Sequence, residues 1–498
     1  MIKYKQFIKT LTLGACSLFF VGCSDFLDVN ENPNDPAKSV PKLTLPVAQE
    51  QLASINGTQM TYLGQYIMYN WSFVSNFSAN QDFARYSITS SFYGSIFNNS
   101  YIGTLKNLAY IDNYKDPQGL VDYSRYRAIS TIMKAFQYQY LVDLYGDVPY
   151  SEANKRAENQ TPKYDKAEDI YKDLIGKLTE VVATLDNLPT NDENPKDQDI
   201  IFKGNVKKWQ QFANTIKLRF LLRLSNTGQD AYIKEEIAKI IANGKGFIDS
   251  NVVANPGYSD NSGKLNPFYG YFKEYSTKKS TDRDKYTVAS DYIISYLKNT
   301  NDPRLKRLYA EAKKGGYQGS EQSTVLTGEG FTTDDLSGVG PGLIKDPSQD
   351  QPIMLLTEAL FLQAEAVQRG YMVGDAKALY HKAIEESFEF LGVENYQTAA
   401  STYYNQDIPN VSFDTSSNKI QAIITQKSIA LNGTSSIEIW LEYNRTGFPV
   451  GLPIPAEANR SHRPYRLLYP SSEIARNSNN VPKQTTEDAF TKKIFWQK

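Results

Sequence analysis

Apolar side chains recur every three or four residues in paired segments separated by short breaks, and this spacing commits most of the chain to amphipathic helices. Ile129, Met133, Phe136, Tyr140 and Leu144 form one stripe, which Gly146 and Pro149 stop. A second helix is expected to begin at Asp165, with Glu168 three residues on as in a capping box, and to carry Ile170, Leu174, Leu178, Val181 and Leu185 before Pro189. The two are expected to lie antiparallel. Trp209, Phe212, Ile216 and Phe220 continue the pattern, and Ile233, Ile237 and Ile241 follow until Asn243-Gly244 gives a terminus. A later pair has Leu355, Ala359, Leu362 and Ala366 on one face up to Gly370, then Tyr380, Ile384, Phe388 and Leu391, with Asp375 as the expected cap of the second helix. Small alanines facing large aromatics in units of roughly 34 residues suggest tetratricopeptide-like packing, too irregular for a pure solenoid. The fold class is therefore mainly α, with helical blocks at about 125–245 and 352–447. Residues 246–350 between them are rich in Gly, Asn, Ser, Asp and Tyr and lack periodicity, a kind of stretch that compact domains keep for binding.

The first residues carry a different signal. Lys3, Lys5 and Lys9 precede an apolar run from Leu11 to Gly22 that is too short to span a bilayer, which is signal-peptide anatomy. Phe20, Val21 and Gly22 stand before Cys23, and the acid- and amide-rich SDFLDVNENPNDP follows it, so the solvent preference of the chain changes at that cysteine. The pattern resembles a bacterial lipobox, with Phe20 where Leu is usual. The rival at Cys16 has almost no apolar core between it and Lys9. Residues 1–22 are accordingly read as a lipoprotein signal peptide, 23–42 as a lipidated tether and 43–498 as the folded domain. Lipid on Cys23 is the expected anchor, because no later apolar run reaches the ~18 residues that a membrane helix needs.

Removal of Lys3, Lys5 and Lys9 takes the basic side chains from 54 to 51 against 55 acidic ones, a balance with no electrostatic footprint for nucleic acid. With Cys16 in the leader and Cys23 acylated, no thiol is left for a disulfide, a thiolate nucleophile or a zinc cluster. Asp28, Asn30 and Asn32 imitate the start of an EF-hand loop, but Pro33 stands where Gly is required and Ser39 where Glu should close the shell. His381 is expected to face solvent and His462 to sit in a surface loop; neither has metal-ligand spacing. No G-x-S-x-G, H-E-x-x-H or P-loop occurs, and Gly338, Gly340 and Gly342, interrupted by Pro341, read as a mobile loop. No catalytic residue, metal site or cofactor is expected. Paired carboxylates for glycoside hydrolysis carry no information in a chain with 55 acids.

Aromatics remain. Tyr numbers 35 against 24 Phe and 4 Trp, and its ring offers a flat apolar face together with a hydroxyl. Two clusters stand out, GQYIMYNWSFVSNF with Tyr66, Tyr69, Trp71, Phe73 and Phe77, and NPFYGYFKEY with Phe268, Tyr269, Tyr271 and Tyr275. Core packing is the ordinary explanation for any one of them. As candidate ligand residues we take Tyr69, Trp71, Phe77, Tyr269 and Tyr271, with Trp71 and Tyr269 expected in loops outside the core because Asn, Gly or Pro flank them.

Together with the Cys23 leader, LVDLYGDVPYSEA at 141–153, NVKKWQQFANTIKLRFLLRLS at 205–225, PIMLLTEALFLQAEA at 352–366, IITQKSIALNG at 423–433, IEIWLEYNRTGFP at 437–449 and LLYPSSE at 467–473 resemble the SusD/RagB-like outer-membrane lipoproteins of Bacteroidetes. The resemblance covers essentially all of the chain after Cys23. It implies a mostly α-helical single domain, built on tetratricopeptide-like helix pairs, that has no catalytic site. Such a protein binds an oligosaccharide or a peptide at the cell surface and delivers it to a SusC-like, TonB-dependent β-barrel. The readings from other classes are a surface glycan hydrolase that uses paired carboxylates and a structural lid without ligand affinity.

Overall fold

The computed structural model describes residues 39–73, 79–323 and 332–498. Cys16, Cys23, Phe77 and the EF-hand-like Asp28, Asn30 and Asn32 lie outside them. Helix α1 (Pro41–Ile55) starts with Pro41 at its first position, where a missing N–H costs nothing, so regular structure begins inside the stretch read as tether. A π-helical turn, Asn56–Met60, leads into α2 (Thr61–Ile67), and α3 (Lys106–Asn113) packs back on α1. None of the three is among the helices predicted above.

The first block contains α4 (Ser124–Tyr145), α5 (Ala167–Asp186), α6 (Val206–Arg223) and α7 (Asp230–Ala242). The residues expected on the stripes of α4 and α5 are buried. The expected antiparallel pairing is seen. Just past the end of α4, the Asp147 carboxylate accepts from the first amide of α5, at Ala167, while Arg125 at the start of α4 pairs with Asp192 beyond the end of α5. The expected cap is corrected here: α5 begins two residues after Asp165, and Asp147 supplies the carboxylate. Asp165 instead sits in strand β3 (Tyr164–Asp165), antiparallel to β2 (Val148–Pro149), and accepts from the Tyr150 and Ser151 amides.

The second block contains α8 (Leu356–Gln368), α9 (Ala376–Leu391), α10 (Tyr396–Tyr404), α11 (Lys419–Ala430) and α12 (Ser436–Thr446). Asp375 caps α9 as expected, accepting from the Ala378 amide at 3.0 Å. Phe361, Tyr380, Ile384 and Phe388 form a core of their own with Tyr403 and Val411. His381 is half-buried rather than solvent-facing, with its ring stacked on Tyr404 at 3.8 Å between centroids. The region between the blocks holds short helices and two-stranded ladders, among them β1 (Trp71–Ser72) with β5 (Val288–Ala289) and β4 (Val252–Ala254) with β6 (Gln351–Met354). The glycines near 340 are not a loose loop. A Cβ on Gly340 would lie 2.4 Å from the Arg307 carbonyl oxygen, and the Gly340 amide donates to Leu308, so glycine is there for close backbone approach.

A buried ionic network joins the two blocks. Arg223 of α6 donates to Asp143 of α4 at 3.1 Å and to Glu438 and Glu442 of α12 at 2.8 and 2.7 Å. Arg445 holds Glu365 of α8 through two contacts of 2.7 Å, Arg219 reaches Glu358, and Lys427 reaches Glu442. Trp496, close to the C-terminus, is buried, donates to Asp143 at 2.8 Å and lies under the Arg223 guanidinium. Charges this deep are tolerated only when each meets an opposite charge and further hydrogen bonds.

Candidate functional site

The β1–β5 ladder pairs Trp71 with Ala289 and Ser72 with Val288, which ties the first aromatic cluster to the segment that follows the second. The second cluster is held by a short helix, Pro267–Phe272. Asn266 caps it by accepting from the Tyr269 amide at 2.8 Å, and Pro267 takes the first position. The chain then turns back, with Thr281 N donating to Phe272 O and the Thr281 hydroxyl to Tyr271 O. A second short helix, Asp282–Tyr286, follows under a Thr281 cap and sets Arg283 over Tyr271.

The rings form one continuous body. Trp71 meets Phe272 edge to face at 5.7 Å, Tyr62 meets Trp71 at 5.4 Å and Tyr271 at 6.2 Å, and Tyr66 stacks on Phe73 and Phe83 at 5.2 and 4.9 Å. From Phe83 the body continues to Phe92 and Tyr93. Its inner members are core. Its outer edge is Tyr93, Tyr271 and Arg283, all half-buried. Beside Tyr93 lies an open depression of about 370 Å³ lined by Asn80, Gln81, Asp82, Phe83, Ser91 and Phe92. Asn80 donates to the Tyr62 hydroxyl at 3.0 Å, tying this lining to the floor.

Two expectations are corrected by burial. Trp71 and Tyr269, expected outside the core, are 1% and 5% exposed. The Asn and Pro that read as loop neighbours of Tyr269 are a helix cap and a helix first residue, and the residues after Asn70 form a strand. Tyr69 is also buried, and its hydroxyl accepts from the Gln322 amide at 2.8 Å. Of these three, Trp71 belongs to the floor. Tyr271 alone of the described candidates is half-buried and not fully enclosed, and Phe77 lies outside the described residues.

Tyr62, Asn80, Tyr93 and Arg283 were missed by sequence reasoning. Backbone strain marks the same region: Tyr69, Asn80, Tyr86 and Tyr93 adopt φ between 52° and 58°, where bulky side chains are costly. Such outliers gather where a surface must present particular groups. Burial pushes the Tyr62 hydroxyl up to about 12 and Tyr93 well above its ordinary value, so both stay neutral hydrogen-bonding phenols. Burial works against charge on Arg283, but a guanidinium ordinarily titrates so far above neutral pH that it stays protonated among these rings.

Among the described residues no group of three or more His, Cys, Asp or Glu side chains is placed to hold a metal ion, and no helix is long and apolar enough to cross a membrane. The geometry offers stacking faces, a polar rim and a cation.

The fold is that of a mainly helical protein. Residues 33–470 match the SusD-like_2 family, described as starch-binding associating with outer membrane, and the chain belongs to that family. A chitin-binding protein of 26% identity superposes with a TM-score of 0.73 over 92% of this chain and 99% of its own. A SusD homologue from Bacteroides fragilis (24% identity, TM-score 0.73, 93% of this chain and 100% of that one) shares the fold. So does a chitin-binding SusD homologue from Flavobacterium johnsoniae (22% identity, TM-score 0.73, 92% and 98%). No curated protein sequence matches the chain.

Proposed function

We propose that this protein is a cell-surface lipoprotein that holds an oligosaccharide on the outer aromatic edge and delivers it to a SusC-like, TonB-dependent barrel. The observation that carries this reading is the pair of half-buried rings, Tyr93 and Tyr271, backed by a rigid aromatic floor and bordered by Asn80. Flat faces fixed by packing stack on sugar rings at little entropic cost, and a few hydrogen bonds at the rim keep binding reversible, as delivery requires. The family description and the chitin-binding neighbours support a glycan as the cargo. Lipid on Cys23 would confine protein and barrel to one membrane, so that a modest interface suffices.

Calorimetry of the mature protein against glycans and peptides tests the binding claim. Micromolar affinity for a glycan, with no new reducing ends after prolonged incubation, is expected. Release of new ends would favour the hydrolase reading, and affinity for peptides alone would reassign the cargo. Cys23→Ala should yield a folded protein that palmitate does not label and that leaves the membrane fraction. Co-purification with a barrel from membranes tests the partner.

A further inference from the structure

We infer that the aromatic edge takes an acidic glycan, an oligosaccharide containing uronic acid, and that Arg283 selects it by pairing with the sugar carboxylate. This rests on the reading above, because Tyr93 and Tyr271 must be the sugar platform.

The Arg283 guanidinium carbon lies 4.0 Å from the Tyr271 ring centroid and 5.5 Å from that of Tyr62. Stacking of this kind uses the face of the guanidinium and leaves the N–H groups along its edge free. Nothing among the described residues takes them up: Arg283 is half-buried and makes no side-chain hydrogen bond or ion pair. The other buried arginines differ. Arg219, Arg223, Arg304 and Arg445 are ion-paired, and Arg463 donates to backbone carbonyls.

The carboxylates nearest in sequence are already engaged. Asp282 pairs with Lys285 at 2.9 Å, and Asp284 pairs with Lys273. The groups that face Arg283 from the packed elements, Tyr62, Tyr93, Tyr271 and Tyr286, are phenols. Asp82, in the lining of the depression beside Tyr93, is exposed and is the one carboxylate there that would oppose an anion. A cation held partly out of water without a counter-ion carries an unrecovered desolvation cost, which ring quadrupoles offset only in part. An incoming carboxylate recovers it, and the guanidinium fork matches the two oxygens of a carboxylate in one plane. A sulfate ester is another anion that a glycan can carry and that the fork could grip, so the experiment separates the two.

The experiment uses the mature protein and uronate oligosaccharides from galacturonan, alginate, glucuronoxylan and chondroitin, each beside its carboxyl-reduced counterpart, together with sulfated carrageenan fragments. At least one uronate ligand should bind about tenfold or more tightly than its reduced counterpart, the contribution of one charge-assisted pair. Arg283→Gln should abolish that ratio while leaving the reduced ligand bound, Arg283→Lys should keep part of it, and Tyr93→Ala should weaken both ligands. The comparison of a ligand with its reduced form needs no variant, so it stands even if Arg283→Gln does not fold. Equal binding of the reduced form, preference for the sulfated fragments, or a ratio that survives Arg283→Gln overturns the inference. Neutral glycans bound through Tyr93 without acid preference defeat it alone, whereas no effect of Tyr93→Ala on any ligand defeats the parent reading too.

Discussion

Trp71 packs edge to face against Phe272 with 5.7 Å between ring centroids, and this contact makes two distant aromatic clusters into one body with a buried floor and a half-buried rim. Floor and rim should respond differently to truncation. Tyr93→Ala and Tyr271→Ala remove half-buried rings and are expected to weaken glycan binding about tenfold each, by the ~1–3 kcal/mol typical of a stacked ring, with a smaller loss of stability than truncation of the floor. Trp71→Ala removes a fully buried ring and is expected to cost about 3–5 kcal/mol of stability. Calorimetry alongside thermal denaturation checks both. A Trp71→Ala protein of native stability that had lost binding would move the site inward.

The link between helical blocks should be fragile to loss of one partner. Arg445→Ala takes one cation from each of two buried carboxylates, leaving Glu365 with Arg369 and Glu442 with Arg223 and Lys427, and is expected to destabilise by about 3 kcal/mol, the low end for breaking a buried pair. Urea unfolding measures this. A cost below about 1 kcal/mol would mean that the network is not dry.

Acid should weaken the same link. Burial works against charge on Glu442, but Arg445, Lys427 and Arg223 outweigh it and hold its carboxyl below the ordinary 4.5. A folded-state value below the unfolded one gives stability that is present above pH 4.5 and lost as pH falls. Urea midpoints taken from about pH 7 to about pH 3 should drop below that value. Glu442→Gln, less stable at neutral pH, should show a shallower acid drop.

Two helical glycines should give opposite results. Gly176 on the exposed face of α5 has open space where a Cβ would go, so Gly176→Ala is expected to stabilise by about 0.5–1 kcal/mol through helix propensity. Gly64 of α2 faces α12, and a Cβ there would lie 2.2 Å from the Ser436 carbonyl oxygen. Gly64→Ala should therefore destabilise by about 1–3 kcal/mol despite the better propensity. Thermal melts of the two variants, measured together, decide this.

What the residues determined alone was local. The stripes of α4, α5, α8 and α9, the Asp375 cap and the stop at Gly146 follow from helical spacing and backbone chemistry that act over a few residues. The motif set of the family was also legible, since its segments are spread along the whole chain in order. Tertiary structure decided which aromatics face water. Trp71 and Tyr271 lie in similar Tyr- and Phe-rich sequence, and only the β1–β5 pairing and the turn at Thr281 bury one and leave the other at the rim. The placing of Arg283 over Tyr62 and of Tyr62 against Tyr271 came about in the same way, between residues far apart in the chain. So did the ion pairs of Arg223 and Arg445: a charged residue in a helical pattern reads as a solvated face until another helix arrives to cover it. Burial is a property of the assembled chain, and the periodicity of one segment carries no record of what will pack on it.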